Sequence, residues 1–500
     1  MGSVEVMQRL GTDRAKTAHN HALASTALIL SGLLTGCVVG PDFKRPAVPD
    51  IPAYTAMPLP APSAPAPTIT TLEEPQHFDI GASVSTQWWR VLGSSRLNAL
   101  IEQAFHASPT LASAQATLRQ AQEIYSAQAG GMKYPQVDAN FGVQRQRFNP
   151  IVLGQDGNAR EFSLFNAGVN VNYQLDLAGG NRRALEALAA RAEYRHHELE
   201  GTRLTLAGNI VTTAVTQARL VAQIQSTEAI LRIQDEQLHI TQERLRFGQG
   251  APDEVLALQT QVEQVRAGLP LLRKQCQQNK HLLSTLTGRA PEDGSLPTFT
   301  LEEFTLPSAL PLVVPSELVR HRPDILGAEA LLHAANAEYG SAIAKLYPQI
   351  NLSASLATQT LVAGALFGPG SAIWNVLGQL TQPLFNPALP AEKRAALAAF
   401  DAAAANYQSV VLESLRNVAD VLRALESDAQ TLAALAAADA AALSSLESMQ
   451  RRYALGAASY AQELNAQQAG QQTRINLIAA QAQRLVDSVT LYQAMGGGVN

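Results

Sequence analysis

Few residues in this chain of 500 have the type and spacing that chemistry needs. His196-His197-Glu198 is the one cluster with metal-ligating side chains, and it lies on a long polar helical stretch where a solvated face accounts for it. Cys276 stands alone in RKQCQQNK, with no CxxC or Cys/His cluster anywhere, so neither a zinc site nor a disulfide framework is indicated. Gly496-Gly497-Gly498 follows a helix end and reads as a C-cap and tail rather than a phosphate cradle. There is no GxSxG elbow, P-loop, HExxH or glycine-rich dinucleotide turn, and the expectation is a protein that is not an enzyme and binds no metal. One residue does stand in a chemical setting. Cys37 ends an apolar run, Ala22 to Leu34, that is preceded by Arg9, Arg14 and Lys16.

A basic stretch, a short apolar run and Leu34-Thr35-Gly36-Cys37 form a secretory signal that resembles the bacterial lipobox. The expectation is that residues 1–36 are removed and that Cys37 carries a diacylglycerol on sulfur and an acyl chain on nitrogen. Two or more chains anchor stably, whereas one does not. That lipid is the only prosthetic group expected. Val38 rather than aspartate follows the cysteine, which in similar lipoproteins favours the outer membrane. Residues 41–75 are rich in proline and alanine and read as an extended strap, so 37–92 forms a lipidated N-terminal region.

Composition narrows the rest. The chain is 46% hydrophobic but only 5% aromatic and 16% charged, the lean profile of long alanine-rich helices. A formal net charge of -5 without like-charge blocks gives nucleic acid nothing to bind. No apolar run beyond residues 22–39 approaches the roughly 18 residues of a spanning helix, so membrane passage would need strands or the lipid.

The body is duplicated at an interval of roughly 210 residues. Residues 108–137 match 322–350, and 244–264 match 451–471 with a small shift. The first repeat is 93–288, the second 317–496, with a proline- and acid-rich connector at 289–316 and a tail at 497–500. Each repeat reads as a helix of about 30 residues ending at Tyr134-Pro135 or Tyr347-Pro348, then two strands, then two long helices. Strands are expected at about 135–148, 163–177, 349–359 and 373–385. In the first, Val137, Ala139, Phe141 and Val143 alternate with Gln136, Asp138, Asn140 and Gln144. In the second, Ala167, Val169, Val171 and Tyr173 alternate with Gly168, Asn170, Asn172 and Gln174. One apolar and one uncharged polar face suits a lipid-facing, water-filled barrel, although a soluble sandwich shows the same alternation. Four strands cannot close a barrel, since about eight are needed, so closure requires several chains.

Long helices are expected at about 181–247, 252–287, 391–455 and 458–495, turning at Gly248-Gln249-Gly250 and at Gly456. Ile475, Ile478, Ala482, Leu485, Val489 and Tyr492 form a heptad seam, and Pro270 invites a kink.

With these elements in place the chain resembles the outer-membrane factor (TolC-like) family, in its NodT-type lipoprotein branch. The resemblance rests on GPDFKRP after Cys37, QWWRVLGSSRLNALIEQAFHASPTL at 87–111 and YQLDLAGGNRRALEA at 173–187. It extends through ELVRHRPDILGAEA at 317–330, RRYALGAASYAQELNAQQ at 451–468 and LYQAMGGG at 491–498. It implies a homotrimer, mainly α, whose twelve-stranded β-barrel in the outer membrane continues into a long periplasmic α-helical barrel. It also implies an equatorial region formed by the termini and the inter-repeat connector. The duct would be passive, with a periplasmic membrane-fusion adaptor and an inner-membrane pump of the resistance-nodulation-division class as partners. Drugs, solvents, phenolics or metal ions would be the cargo. A periplasmic coiled-coil adaptor or a structural lipoprotein without a pore is the competing reading.

The resemblance places adaptor contacts at the hairpin tips, as Arg246-Phe247-x-x-Gly250 and Arg452-Tyr453-x-x-Gly456. The glycine would supply a left-handed turn conformation, and the arginine would donate to carbonyls of an incoming hairpin. An arginine there can equally cap its own helix, and the two roles are compatible. The periplasmic constriction, acidic in many relatives, maps to Ala461 and Asn465, and in the first repeat to Val255 and Gln259. Neutral side chains there imply a closed entrance that is less cation-selective, although Asp253, Glu254 and Glu463 lie nearby.

Overall fold

The computed structural model describes residues 38–47, 51–56, 72, 75–154, 156–292 and 294–498. The expected signal peptide at 1–36, Cys37 and most of the proline-rich stretch lie outside the described residues. The chain divides into two compact units, one of residues 1–45, 119–193 and 329–405, the other of 46–118, 194–328 and 406–500.

The first unit contains a four-stranded antiparallel sheet in the order β2-β3-β5-β6. Its strands are β2 (Gln136–Phe148), β3 (Arg160–Leu175), β5 (Gln349–Thr360) and β6 (Ala372–Thr381). They are 13, 16, 12 and 10 residues long, at or above the roughly 9–11 that cross a bilayer. The ladder keeps the apolar sets in register: Val137 pairs with Val171, Val171 with Ala354, and Ala354 with Val376. Asp138, Asn170, Ser355 and Asn375 line up in the same way on the other face. Because the side-chain period is two, this register gives a single sheet one apolar and one polar face. β6 stops at Thr381, four residues before the expected Phe385. Pro348 precedes the strand opposite and Pro383 follows this one, and neither has an N–H to extend the ladder.

Four helices enter or leave the sheet. α2 (Pro109–Lys133) precedes β2, α3 (Gly180–Arg246) follows β3, α6 (Pro323–Ala344) precedes β5 and α7 (Ala388–Ala454) follows β6. The single helix of about 30 residues expected before each strand pair is instead two. α1 (Ser95–Ala107) precedes α2, and α5 (Pro315–His321) precedes α6. The break falls at the residue before a proline, Ser108 with ψ 121° and Arg322 with ψ 126°, extended as the proline ring demands. α3 starts where it does because Asp176 accepts from the N–H groups of Asn181 and Arg182, at 3.0 and 2.9 Å.

The second unit holds the long-helix hairpins from residues 194 and 406 onward. α3 and α7 are each 67 residues, about 100 Å of helix, and α4 (Pro252–Leu286) and α8 (Tyr460–Ala494) are 35 each. α4 is helical through Pro270. The heptad seam of α8 is buried from Ile478 to Tyr492, with Leu485 and Val489 fully enclosed. It meets Ile210, Val211, Ala214 and Val215 of α3 and Val418, Val421 and Leu422 of α7 in one core. Trp88 stacks on Tyr492 at 5.8 Å and Trp89 meets Phe105 edge-on at 5.6 Å, which gives QWW a packing role. The connector contains β4 (Ala309–Leu312), which pairs in parallel with β1 (His77–Ile80). Periodicity over four residues is too short to reveal such a pair.

The expectation of no apolar window outside the N-terminus needs correction. α7 contains an 18-residue window of mean hydropathy 1.2. Alanine produces it, through runs such as Ala402 to Ala405, without the large side chains that drive insertion.

Candidate functional site

The tips of the two helical hairpins are the first candidate. Gly248 and Gly456 both adopt φ 71°, and both end their helices in the same double turn. The Gln249 N–H donates to the Arg244 carbonyl and the Ala457 N–H to the Arg452 carbonyl, each at 2.8 Å. This geometry corrects the sequence register by two residues. The left-handed glycine of the first tip is Gly248, not Gly250, and the equivalent arginines are Arg244 and Arg452. Gly250 matters for a different reason: a Cβ there would sit 3.3 Å from the Leu245 backbone nitrogen.

Arg452 donates to the Ala457 carbonyl at 3.3 Å, capping its own turn. Arg246 sits 3.6 Å from Glu243 and over the exposed Phe247 ring at 5.9 Å. Phe247 is 70% exposed and unused by the fold, an apolar side chain presented at a tip. Arg244, which sequence reasoning did not single out, donates to the Tyr453 hydroxyl at 2.8 Å and so ties one hairpin to the other. Only the corrected register would have drawn attention to it.

Above the tips, the same interval of 208 residues that relates Gly248 to Gly456 relates Asp253 to Ala461 and Ala257 to Asn465. Val255 and Gln259 are thereby equivalent to Glu463 and Gln467, not to Ala461 and Asn465. Ala461, Asn465, Gln259 and Asp253 are exposed and Val255 is half-buried. Glu463 is buried, receiving bonds from Gln237 and Gln467 at 3.4 Å each, and burial raises its carboxyl above the usual range. The acid that could act at an exposed entrance is therefore Asp253 rather than Glu463.

A second constellation joins two sequence motifs in the same unit. Arg322 forms a two-pronged pair with Asp324, at 3.0 and 2.7 Å, and donates to the Ala494 carbonyl at 2.9 Å. Asp324 also accepts from the Ile325 N–H and the Ser414 hydroxyl. Burial would raise the Asp324 pKa, but Arg322 and these bonds hold it below the ordinary value. Gly496, Gly497 and Gly498 all have positive φ. A Cβ on Gly497 would clash with Leu204, and one on Gly498 with the Ser85 backbone. HRPD and GGG thus lock the end of α8. They are structural.

In the first unit the residues just after Cys37 are held in place. The Arg183 guanidinium, 4% exposed, bonds Asp42 at 2.7 Å and Glu186 at 2.8 Å. Asn336 donates to the Pro41 carbonyl, the Val39 N–H donates to the Ala178 carbonyl, and Phe43 stacks on His333 at 4.4 Å. The polar sheet face carries amides that bond across strands, as Asn170 does to Asn140 at 3.1 Å. Among the described residues, no group of three or more His, Cys, Asp and Glu is placed to hold a metal, and the His196 and His197 rings lie 5.6 Å apart.

A sequence model of the family described as outer membrane efflux protein matches residues 100–289 and 314–497. The cation efflux system protein CusC of Escherichia coli O6:H1 is 26% identical over 93% of this chain and 96% of its own length. The toluene efflux pump outer membrane protein TtgI of Pseudomonas putida is 30% identical over 73% of this chain and 78% of its own. The solved outer-membrane channel OprN superposes with a TM-score of 0.82, covering 92% of this chain and 99% of its own at 24% identity, a likeness of fold.

Proposed function

The chain belongs to the outer membrane efflux protein family, and from that premise we propose that it is the outer-membrane duct of a tripartite efflux system, passing small toxic compounds outward without catalysis. The observation that carries this reading is the sheet. Four strands share one apolar and one amide-rich face in continuous register, and among the described residues both edge strands, β2 and β6, lack a second neighbour. Open edges of this length demand pairing. Three copies supply twelve strands, with the apolar face to lipid and the amides to water.

Around this core stand the expected partners: a periplasmic membrane-fusion adaptor at the hairpin tips, and an inner-membrane pump of the resistance-nodulation-division class. Arg246, Phe247, Arg452 and Tyr453 are the tip side chains offered to the adaptor. Cys37 carries the lipid. Cargo is drawn from drugs, solvents, phenolics and metal ions; relatives named for cations and for toluene span this range. A pore-free adaptor or structural lipoprotein is the second reading, and the in-register apolar face argues against it.

The test is conductance of the purified protein in planar bilayers, with heat-modifiable gel migration. Discrete channels from an assembly that dissociates on boiling are expected. Their weak cation preference should fall about two-fold further in Asp253→Asn. A protein that forms no channel and leaves membranes in high salt alone is not a duct.

A further inference from the structure

The apolar face of the sheet is not apolar to its end. On β2 it carries the odd-numbered residues Val137, Ala139, Phe141 and Val143, and the same parity continues to Arg145 and Arg147. Across the ladder Arg145 stands opposite Ser163 and Arg147 opposite Glu161, so Glu161 of β3 joins them on that face. β5 and β6 bring no charge to it, since residues 346–391 contain no Asp, Glu, Lys, Arg or His. The charged side chains of this face therefore sit together, at the end of the β2–β3 hairpin remote from α2 and α3.

Two guanidinium groups here meet one carboxylate, which leaves a net charge of +1. Arg145 pairs with Glu161 at 3.4 Å, and both side chains are exposed. Arg147 is also exposed and lies directly across the ladder from that carboxylate. Yet among the described residues it forms no ion pair and no hydrogen bond through its side chain.

Position along the strand matters as much as charge. From Val137 to Arg147 the strand advances ten residues, which at about 3.4 Å each and a tilt of about 40° climb about 25 Å across a bilayer. That is the height of the apolar band on an outer-membrane barrel. Arg147 then stands at the outer border of the band and Arg145 about 5 Å inside it. A lipid-facing arginine is costly at mid-membrane and nearly free of cost at the border. The deeper arginine is the one that Glu161 neutralises, and the border arginine is the one left without a partner.

We propose that Arg147, with Arg145 beside it, holds a phosphomonoester group of an outer-leaflet lipid, one lipid for each chain. This rests on the duct reading, which turns the apolar face to lipid and the hairpin end outward, and it adds a ligand to that reading. A guanidinium presents a planar fork that matches two phosphate oxygens. A phosphomonoester offers more charge and one more such oxygen than the phosphodiester of an ordinary glycerophospholipid. Basic clusters at a membrane surface draw anionic headgroups in the same way. Below the arginines Phe141 and Val143, 70% and 59% exposed, give the acyl chains an apolar wall to lie against.

Native mass spectrometry of the detergent-purified full-length assembly, titrated with lipid A bearing two phosphates, tests this. The parent should bind one lipid per chain, and Arg147→Gln should weaken that binding at least about ten-fold. Arg160→Gln, at the same hairpin end but on the polar face opposite Phe148, should leave it unchanged. Equal losses in the two variants would reveal a diffuse charge effect and overturn the site. Two further comparisons use the parent alone and hold even where Arg147→Gln does not assemble. Equal affinity for phosphatidylglycerol overturns the phosphomonoester, and full displacement by millimolar inorganic phosphate overturns the lipid as its source. A parent that assembles and conducts but binds no lipid A overturns the site and leaves the duct. A parent that neither assembles nor conducts overturns both.

Discussion

At the scale of residues, the tips show how one hydrogen bond links two hairpins. Arg244 donates to the Tyr453 hydroxyl at 2.8 Å, and Tyr453 in turn lies 5.6 Å from the Tyr460 ring. A charge-assisted bond of this kind contributes about 1.5–3 kcal/mol when shielded, and less at an exposed tip. Tyr453→Phe keeps the ring and removes the bond, so the closed channel should conduct several-fold more while the assembly keeps its heat stability. Unchanged single-channel conductance would show that the bond is not part of what holds the entrance closed. Arg322 acts differently, through two prongs on Asp324 and one on the Ala494 carbonyl. Arg322→Ala should destabilise by about 2–3 kcal/mol, read as a lower temperature of assembly dissociation. Because the Asp324 pKa is held below its usual 3.8, this pair stabilises above that pH and is lost as pH falls through the lower folded value.

At the scale of elements, α7 and α8 carry a facing acid pair. Burial pushes Asp428 up to about 7, the hydrogen bond and charge of Asp487 push in the same direction, and Arg484 pulls it down. An acid raised in the folded state stabilises when protonated. That contribution is complete below the ordinary 3.8 and is lost as pH rises through about 7. Asp428→Asn should therefore remove the loss of heat stability between pH 5 and 8, a gain of order 1 kcal/mol at pH 8 once solvent screening is allowed for. A variant with the parent's pH profile would show that the two helices do not sense this pair. The long helices themselves follow from alanine-rich heptads, which pack closely on small side chains. Sequence periodicity found them within a few residues, yet gave no sign of β1 and β4, whose four-residue ladder depends on a partner 232 positions away, from His77 to Ala309.

At the scale of the molecule, the anchor and the sheet would both hold the protein in the outer membrane. Val38, the residue that follows Cys37 in sequence, packs against Gly179 just before α3. Replacing Cys37 with serine behind a cleavable signal should leave an assembly that inserts, more slowly than the parent, and conducts normally. A soluble monomer would show that the lipid carries the attachment.

Much of this protein is local information. The signal, the cysteine, the duplicated order of elements and the alternation of the strands are each set by neighbouring residues, because periods of two and of seven need only a short window to be visible. GGG could be read as a helix C-cap, which the Gly497 N–H bond to the Tyr492 carbonyl bears out, but neither its partners nor the role of HRPD was visible. Only the fold brings Arg322 to the Ala494 carbonyl and presses Gly497 against Leu204, and both contacts join segments distant in sequence. The tip register was likewise decided by tertiary structure. RLRFGQG offers two glycines and two arginines, and composition cannot say which glycine turns left-handed. The helix end selects Gly248, because the Gln249 N–H must reach the Arg244 carbonyl, and that choice moves every equivalence above it by two residues.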